Sequence, residues 1–279
     1  MLKEEILKKK LYRVIQLILL ALILYSAYQI SSYFYSRQQA QKELDSYQQI
    51  VEDIRHEQVE EGEESEQGTD SNPNQADKMA DKGQVAQVSL ARFRQLNKDI
   101  VSYINIEDLG VSYPVVHKDN NYYLRRNLKE EYSIAGSIFM EEANKTNFGD
   151  MNTIIYGHNM NNAITKSAQM FEPIIQYEDQ DFVDQGKGLI IEMFTDQGVN
   201  RYQVFSAYYS HAYYDYRTIN MSKSEWIDYL EKMKDLSIAD FGPVKMDENS
   251  QILTLSTCDN ITDDGRFAVH AVLINDWND

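Results

Sequence analysis

Eight short apolar runs, each bounded by turn-forming residues, fill the last two-thirds of this 279-residue chain and constrain its fold more than any other feature. They occupy residues 101–106, 110–116, 137–140, 153–156, 188–194, 201–209, 252–257 and 267–274. Many short strands separated by turns predict a mainly β, closed or nearly closed architecture. Two helical stretches interrupt them. One lies around Ala168 to Ile175. The other starts at Ser222, an N-cap with Glu225 in capping-box position, and runs through Trp226, Tyr229, Leu230 and Met233 to about Leu236. Before the first strand, residues 89–97 read as a capped helix packing on the same domain, and residues 89–279 are enough for one domain with its own core.

The N-terminus has a different character. Lys3, Lys8, Lys9, Lys10 and Arg13 precede an apolar stretch at 14–27 that only Gln16 and Ser26 interrupt. A spanning helix needs about 20 mostly apolar residues. Residues 11–30 supply them if Arg13 snorkels to the interface. The basic flank predicts a single pass through a lipid bilayer, with a cytoplasmic N-terminus and the remainder outside. A cleaved signal peptide is the competing reading. Bulky Tyr28, Gln29, Tyr33, Phe34 and Tyr35 stand where a small-x-small cleavage site would be, which favours an uncleaved anchor at 1–35.

Between 36 and 88 the composition shifts to Gln, Glu, Asp, Lys and Ser, with the acidic cluster Glu60, Glu61, Glu63 and Glu64 and the turn-rich segment 71–74. Too little apolar surface is present there to offset the entropy of ordering, so the segment reads as an acidic extracellular stalk. In its first half Leu44, Tyr47, Ile50, Val51 and Ile54 stand at helical spacing, which suits either a dimer seam or an unsupported continuation of the membrane helix.

The only cysteine, Cys258, closes the alternating run that begins at Ile252. With a period of two, Ile252, Thr254, Ser256 and Cys258 share one face, and Leu253, Leu255 and Thr257 the other. After the turn residues Asp259, Asn260, Asp263, Asp264 and Gly265, a second run opens with Arg266, so pairing as a hairpin would set Cys258 opposite Arg266. A lone cysteine serves packing or reactivity, and a nearby guanidinium favours the thiolate that is the nucleophile. Of the five histidines, His56 and His117 read as solvent-facing, His211 stands among tyrosines, and His270 sits inside the last strand. His158 differs, because it follows the run 153–156 and Gly157 and so delivers an imidazole to a strand-end loop, where a general acid or base can sit.

The segments Thr153-Ile154-Ile155-Tyr156-Gly157-His158-Asn159-Met160, Leu253-Thr254-Leu255-Ser256-Thr257-Cys258 and Gly265-Arg266 together resemble the histidine, cysteine and arginine motifs of sortases, the cell-wall transpeptidases of Gram-positive bacteria. The Ser-Thr-Cys-Asp wording, with Asn120-Asn121-Tyr122-Tyr123-Leu124 leading to Ala135-Gly136-Ser137-Ile138-Phe139-Met140, is similar to class B. The resemblance implies a sortase-type closed β-barrel with added helices, one of them between the strands that precede the cysteine strand. It also implies catalytic His158, Cys258 and Arg266, and a peptide groove lined by Asn120, Leu124, Ser256 and Tyr216. The implied substrates are surface proteins or pilins with a C-terminal sorting signal of the Asn-Pro-x-Thr or Leu-Pro-x-Thr kind, cut after the threonine. The acceptor is an amine, either of a peptidoglycan precursor or of a pilin lysine, and the residues leave that choice open. The segment before the domain lacks the Asp-Pro-aromatic lid of many pilin sortases, so self-inhibition is not expected. Without a sorting signal of its own the chain reads as enzyme and not as cargo.

Other classes fit less well. A formal net charge of -17 argues against nucleic-acid binding, which needs clustered Lys and Arg. No histidine pairs at zinc-ligand spacing with another histidine or with Cys258, and no EF-hand loop is present, so no cofactor is expected, with calcium left open. A non-catalytic surface adhesion protein on a degenerate barrel would not need all three of His158, Cys258 and Arg266. In a papain-like peptidase the cysteine precedes the histidine and opens a helix, the reverse of the order here.

Overall fold

The computed structural model describes residues 2–65, 90–160, 169–258 and 264–274. The Ser89 cap, the turn at 71–74, Asn161 and Asn162 after His158, the start of the helical stretch at Ala168 and the turn at Asp259 and Asn260 lie outside them. All eight expected runs are strands, with ends displaced by a few residues. They are β1 (Ile100–Ile106), β2 (Val111–His117), β3 (Ile138–Met140), β4 (Asn152–Tyr156), β5 (Ile190–Thr195), β6 (Gly198–His211), β7 (Ile252–Cys258) and β8 (Gly265–Leu273). They close a barrel in the order β1-β2-β3-β4-β7-β8-β6-β5. The β2–β3 and β4–β7 pairs are parallel and the others antiparallel. Among the described residues, closure leaves no edge strand in the sheet.

The helices are α1 (Leu2–Ser65), α2 at 90–96, the single turn α3 (Gln180–Val183) and α4 (Lys223–Asp235). Helix α4 lies between β6 and β7 and carries the predicted capping box at Ser222 and Glu225. Its buried stripe, Trp226, Tyr229, Leu230 and Met233, packs on Phe205, Tyr208, Ile252, Ala268 and Val272 of the barrel wall. Leu253, Leu255, Phe267, Val269 and Ala271 alternate with that face, are fully buried, and fill the barrel interior. The stretch expected at 168–175 is a 3₁₀ helix instead, at Glu172–Glu178. Pro173, Ile174 and Tyr177 are its buried residues, and with the buried N-cap Phe171 the large side chains Phe171, Ile174 and Tyr177 repeat every third position, the period of a 3₁₀ helix.

The chain divides into two compact units, residues 1–43 and 44–279. The first holds a helical stretch long and apolar enough to cross a membrane, with Leu17, Leu20 and Leu24 exposed on it. In the second, the helical stripe of the expected stalk is partly turned inward. Leu44 and Tyr47 are buried, the Tyr47 ring meets Phe93 of α2 edge-on, and Phe93 stacks on Tyr103 of β1. An apolar stripe in an otherwise polar segment needs a surface to cover, and here the domain supplies it. The side chains of Val51 and Ile54 lie outside the described set.

Candidate active site

Strands β4 and β7 run parallel with Tyr156 level with Ser256. Continuing that register by two residues brings His158 level with Cys258 at the C-terminal ends of the two strands. With side chains alternating, Tyr156 and His158 share one face with Ser256 and Cys258. On the other side of β7 the antiparallel partner of Cys258 is Arg266, the second residue of β8. A parallel pair and a hairpin thus deliver imidazole, thiol and guanidinium to one rim.

Bonds past the strand ends hold that rim together. The Gly157 N–H donates to the Ser256 carbonyl at 3.2 Å, and the Asn159 side-chain amide donates to the Cys258 carbonyl at 3.1 Å. The Phe171 N–H donates to the His158 carbonyl at 3.0 Å. Gly157 is required by packing, since a Cβ there would lie 2.5 Å from Ile138 Cδ1 and 2.7 Å from the Phe171 ring.

The His158 ring is oriented from the opposite wall. Its Nε2 lies 2.7 Å from the carbonyl oxygen of Leu124. A carbonyl only accepts, so Nε2 carries the proton and Nδ1 holds the lone pair of the neutral ring. That carbonyl is itself fixed by Gly136, whose φ of +59° is left-handed and whose missing Cβ would sit 2.6 Å from the Leu124 oxygen. Burial is the main influence on the His158 pKa and pushes it down. The positive charges of Arg125 and Arg266 act in the same direction, against the bond to Leu124. Neutral imidazole is therefore the favoured resting form at neutral pH.

A cavity of about 270 Å³ opens at this point, and His158, Cys258 and Arg266 all line it. Cys258 is half-buried, and Arg266 Nη1 donates to the Gly265 carbonyl at 2.9 Å. The four residues expected in the groove, Asn120, Leu124, Ser256 and Tyr216, line the same cavity. Three of them also make wall contacts. Asn120 donates to Glu141 at 2.6 Å and accepts from the Glu142 N–H at 2.9 Å. The Ser256 and Tyr216 hydroxyls bond each other at 2.9 Å.

Several residues around the cavity escape sequence reasoning. Tyr156, one pleat before His158, donates its hydroxyl to the buried Glu141 at 2.6 Å, and Arg217 lies beside that hydroxyl at the cavity rim. The period-two spacing of Tyr156 and His158 was a usable signal, as was that of Ser256 and Cys258. Arg217 and Asn159 had none, because their partners are remote in sequence.

The remaining histidines are not gathered here. His270 is fully buried, with Nδ1 2.8 Å from the Thr254 hydroxyl and Nε2 3.0 Å from the Tyr208 hydroxyl. His117 is half-buried with its Nε2 enclosed, which departs from the solvent-facing expectation, because β3 pairs alongside the end of β2 and puts Met140 opposite it. His211 is exposed at the end of β6, and the His56 side chain lies outside the described set. Among the described residues no group of His, Cys, Asp and Glu could hold a metal ion.

A family model described as the sortase domain matches residues 104–274. The chain belongs to the sortase family, whose members are cysteine transpeptidases, and within it to class B. It is 37% identical over 191 residues to sortase B of Listeria monocytogenes, covering 66% of this chain and 74% of that protein. To sortase B of Staphylococcus aureus it is 33% identical over 168 residues, 60% of this chain and 66% of that protein. Among solved structures, Bacillus anthracis sortase B in complex with AAEK1 superposes with a TM-score of 0.59 at 34% identity, covering 67% of this chain and 84% of that one. Clostridium perfringens sortase B gives 0.60 at 28% identity, covering 66% of this chain and 99% of that one. A Staphylococcus aureus sortase B–substrate complex gives 0.67 at 24% identity over 86% of this chain and 98% of that one, a likeness of fold.

Proposed function

We propose that the chain is a membrane-anchored transpeptidase in which Cys258 is the nucleophile, His158 the general acid and base, and Arg266 the oxyanion or peptide-orienting donor. The observation that carries this reading is the convergence of the three side chains on one cavity from β4, β7 and β8. Cys258 gives its thiol proton to His158 Nδ1, the resulting thiolate attacks the carbonyl carbon of the scissile peptide bond, and Arg266 hydrogen-bonds the oxygen as negative charge develops on it. Collapse of the intermediate breaks the C–N bond, and protonated His158 gives its Nδ1 proton to the departing amine. The product is a thioacyl enzyme and neutral His158. An incoming amine then loses a proton to His158 Nδ1 and attacks the thioester, forming a new amide and returning the thiolate. Since burial favours neutral imidazole, His158 is well matched to the second half-reaction.

The substrate is a surface protein or pilin carrying an Asn-Pro-x-Thr or Leu-Pro-x-Thr type signal, cut after the threonine, with Asn120, Leu124, Ser256 and Tyr216 lining the peptide groove. The acceptor is a cell-wall cross-bridge amine or a pilin lysine. Residues 1–35 anchor the enzyme in one pass with the N-terminus cytoplasmic, 36–88 connect, and 89–279 form the extracellular catalytic domain. The test is incubation with sorting-signal peptides and amines, read by mass spectrometry. An acyl adduct on Cys258 that an added amine converts to a new amide supports the reading. Hydrolysis or transfer undiminished in Cys258→Ala overturns it.

A further inference from the structure

The cavity differs in charge from the protein that holds it. The chain has 44 acidic against 27 basic residues, yet two guanidinium groups, Arg217 and Arg266, line the cavity and, among the described residues, no carboxylate does. Arg266 is committed to the reacting carbonyl in the function proposed above. Arg217 is not. We propose that Arg217 is a specificity-determining residue that selects substrates bearing an acidic side chain in the part of the sorting motif that lies over Tyr156 and Ser256.

The position of Arg217 follows from three contacts. It comes directly after Tyr216, whose buried hydroxyl is tied to Ser256 and whose carbonyl accepts from the Tyr229 hydroxyl at 2.8 Å, so its backbone is moored to β7 and α4. Its guanidinium lies beside the Tyr156 hydroxyl. The residue is exposed and stands among those that line the cavity. Tyr156 and Ser256 stand two residues before His158 and Cys258, roughly 6–7 Å back along the strands. At that distance Arg217 meets a substrate side chain near the scissile bond without contacting the reacting carbonyl.

Glu141 offsets part of this positive field, but it sits behind Tyr156, 8% exposed, and its oxygens take the Tyr156 hydroxyl and the Asn120 amide. A planar guanidinium at a walled site binds carboxylate better than amide and repels ammonium. In an acidic protein such an island also attracts the anionic segment of a substrate that the rest of the surface would repel.

This inference rests on the sortase reading, and the experiment separates the two. Detergent-solubilised full-length enzyme is given sorting peptides in which Glu, Gln and Lys are placed in turn at each motif position other than the proline and threonine, and kcat/KM is measured for each. Wild type should favour Glu over Lys by roughly tenfold or more at one position at least, since charge-assisted bonds are the strong ones. Added salt should shrink the ratio. The ratio should fall to within about threefold in Arg217→Gln and invert in Arg217→Glu. Ratios are taken within each enzyme, so loss of folded protein cancels. A wild type that cleaves these peptides with no charge preference, or a preference that survives in both variants, overturns the role of Arg217. A wild type that cleaves none of them overturns the sorting-motif reading and this proposal with it.

Discussion

Cys258 and Arg266 are direct partners across the β7–β8 hairpin, the last residue of one strand facing the second residue of the next. The pairing sets Arg266 across from Cys258 through backbone register, and both side chains line the cavity. A directional role for Arg266 then depends on its planar fork, which lysine lacks. Arg266→Lys should lower single-turnover acylation by about 10²-fold or more, the scale of removing one oxyanion donor. Near wild-type acylation would leave only a diffuse electrostatic role.

Cys258→Ala should abolish thioacyl formation and peptide cleavage with little change in melting temperature. The side chain is half-buried at a strand end, so its truncation removes little packing. Turnover retained by this variant would remove Cys258 from the mechanism.

Gly136→Ala should act on His158 from a distance. The new Cβ would collide with the Leu124 carbonyl at a left-handed φ, displacing the acceptor that orients the imidazole. Strain of this kind costs about 1–3 kcal/mol. Misplacement of a catalytic group by about 1 Å costs up to roughly 10² in rate. A variant that melts earlier yet cleaves at the wild-type rate would show that the Leu124 bond does not orient His158.

Removal of residues 1–35 should yield a soluble, active enzyme, because Leu44 and Tyr47 stay in place. Removal of residues 1–57 takes away both buried side chains and uncovers Phe93. Burying one such side chain contributes about 1.5–3 kcal/mol, so the shorter protein should unfold at clearly lower urea concentration. Equal midpoints for the two truncations would mean that the α1–α2 contact adds nothing.

His270 should make stability fall in acid. Burial pushes its pKa down to about 3 from the ordinary 6.5 of an unfolded chain. The unfolded state therefore binds the proton more readily. The contribution is fully present above pH 6.5 and is lost as pH falls from there towards 3, at a slope of up to about 1.4 kcal/mol per pH unit. Urea unfolding of wild type and His270→Gln between pH 7 and 4 tests this, with the wild-type advantage narrowing as pH falls. A constant gap would contradict it.

The barrel strands were legible because side-chain alternation and turn residues are local signals. The helix at Ser222 was legible because a capping box closes within four residues. Even the Cys258–Arg266 pairing could be read, since a hairpin is a short-range structure. The contact between α1 and α2 was not, because an amphipathic stripe records that a surface must be covered and not which surface covers it. Thus Tyr47 on Phe93 emerged only from packing.

The sequence by itself determined the strand inventory, the polar face that ends in Cys258 and the candidate imidazole, since each depends on residues within one strand or turn. Only the tertiary structure decided that β4 lies parallel to β7, which brings His158 level with a thiol a hundred residues away. It alone also set Gly136 under the Leu124 carbonyl and Arg217 beside Tyr156. The physical reason is that long-range pairing is chosen by barrel closure and burial of the whole set of strands, a many-body balance to which no short stretch of sequence responds alone.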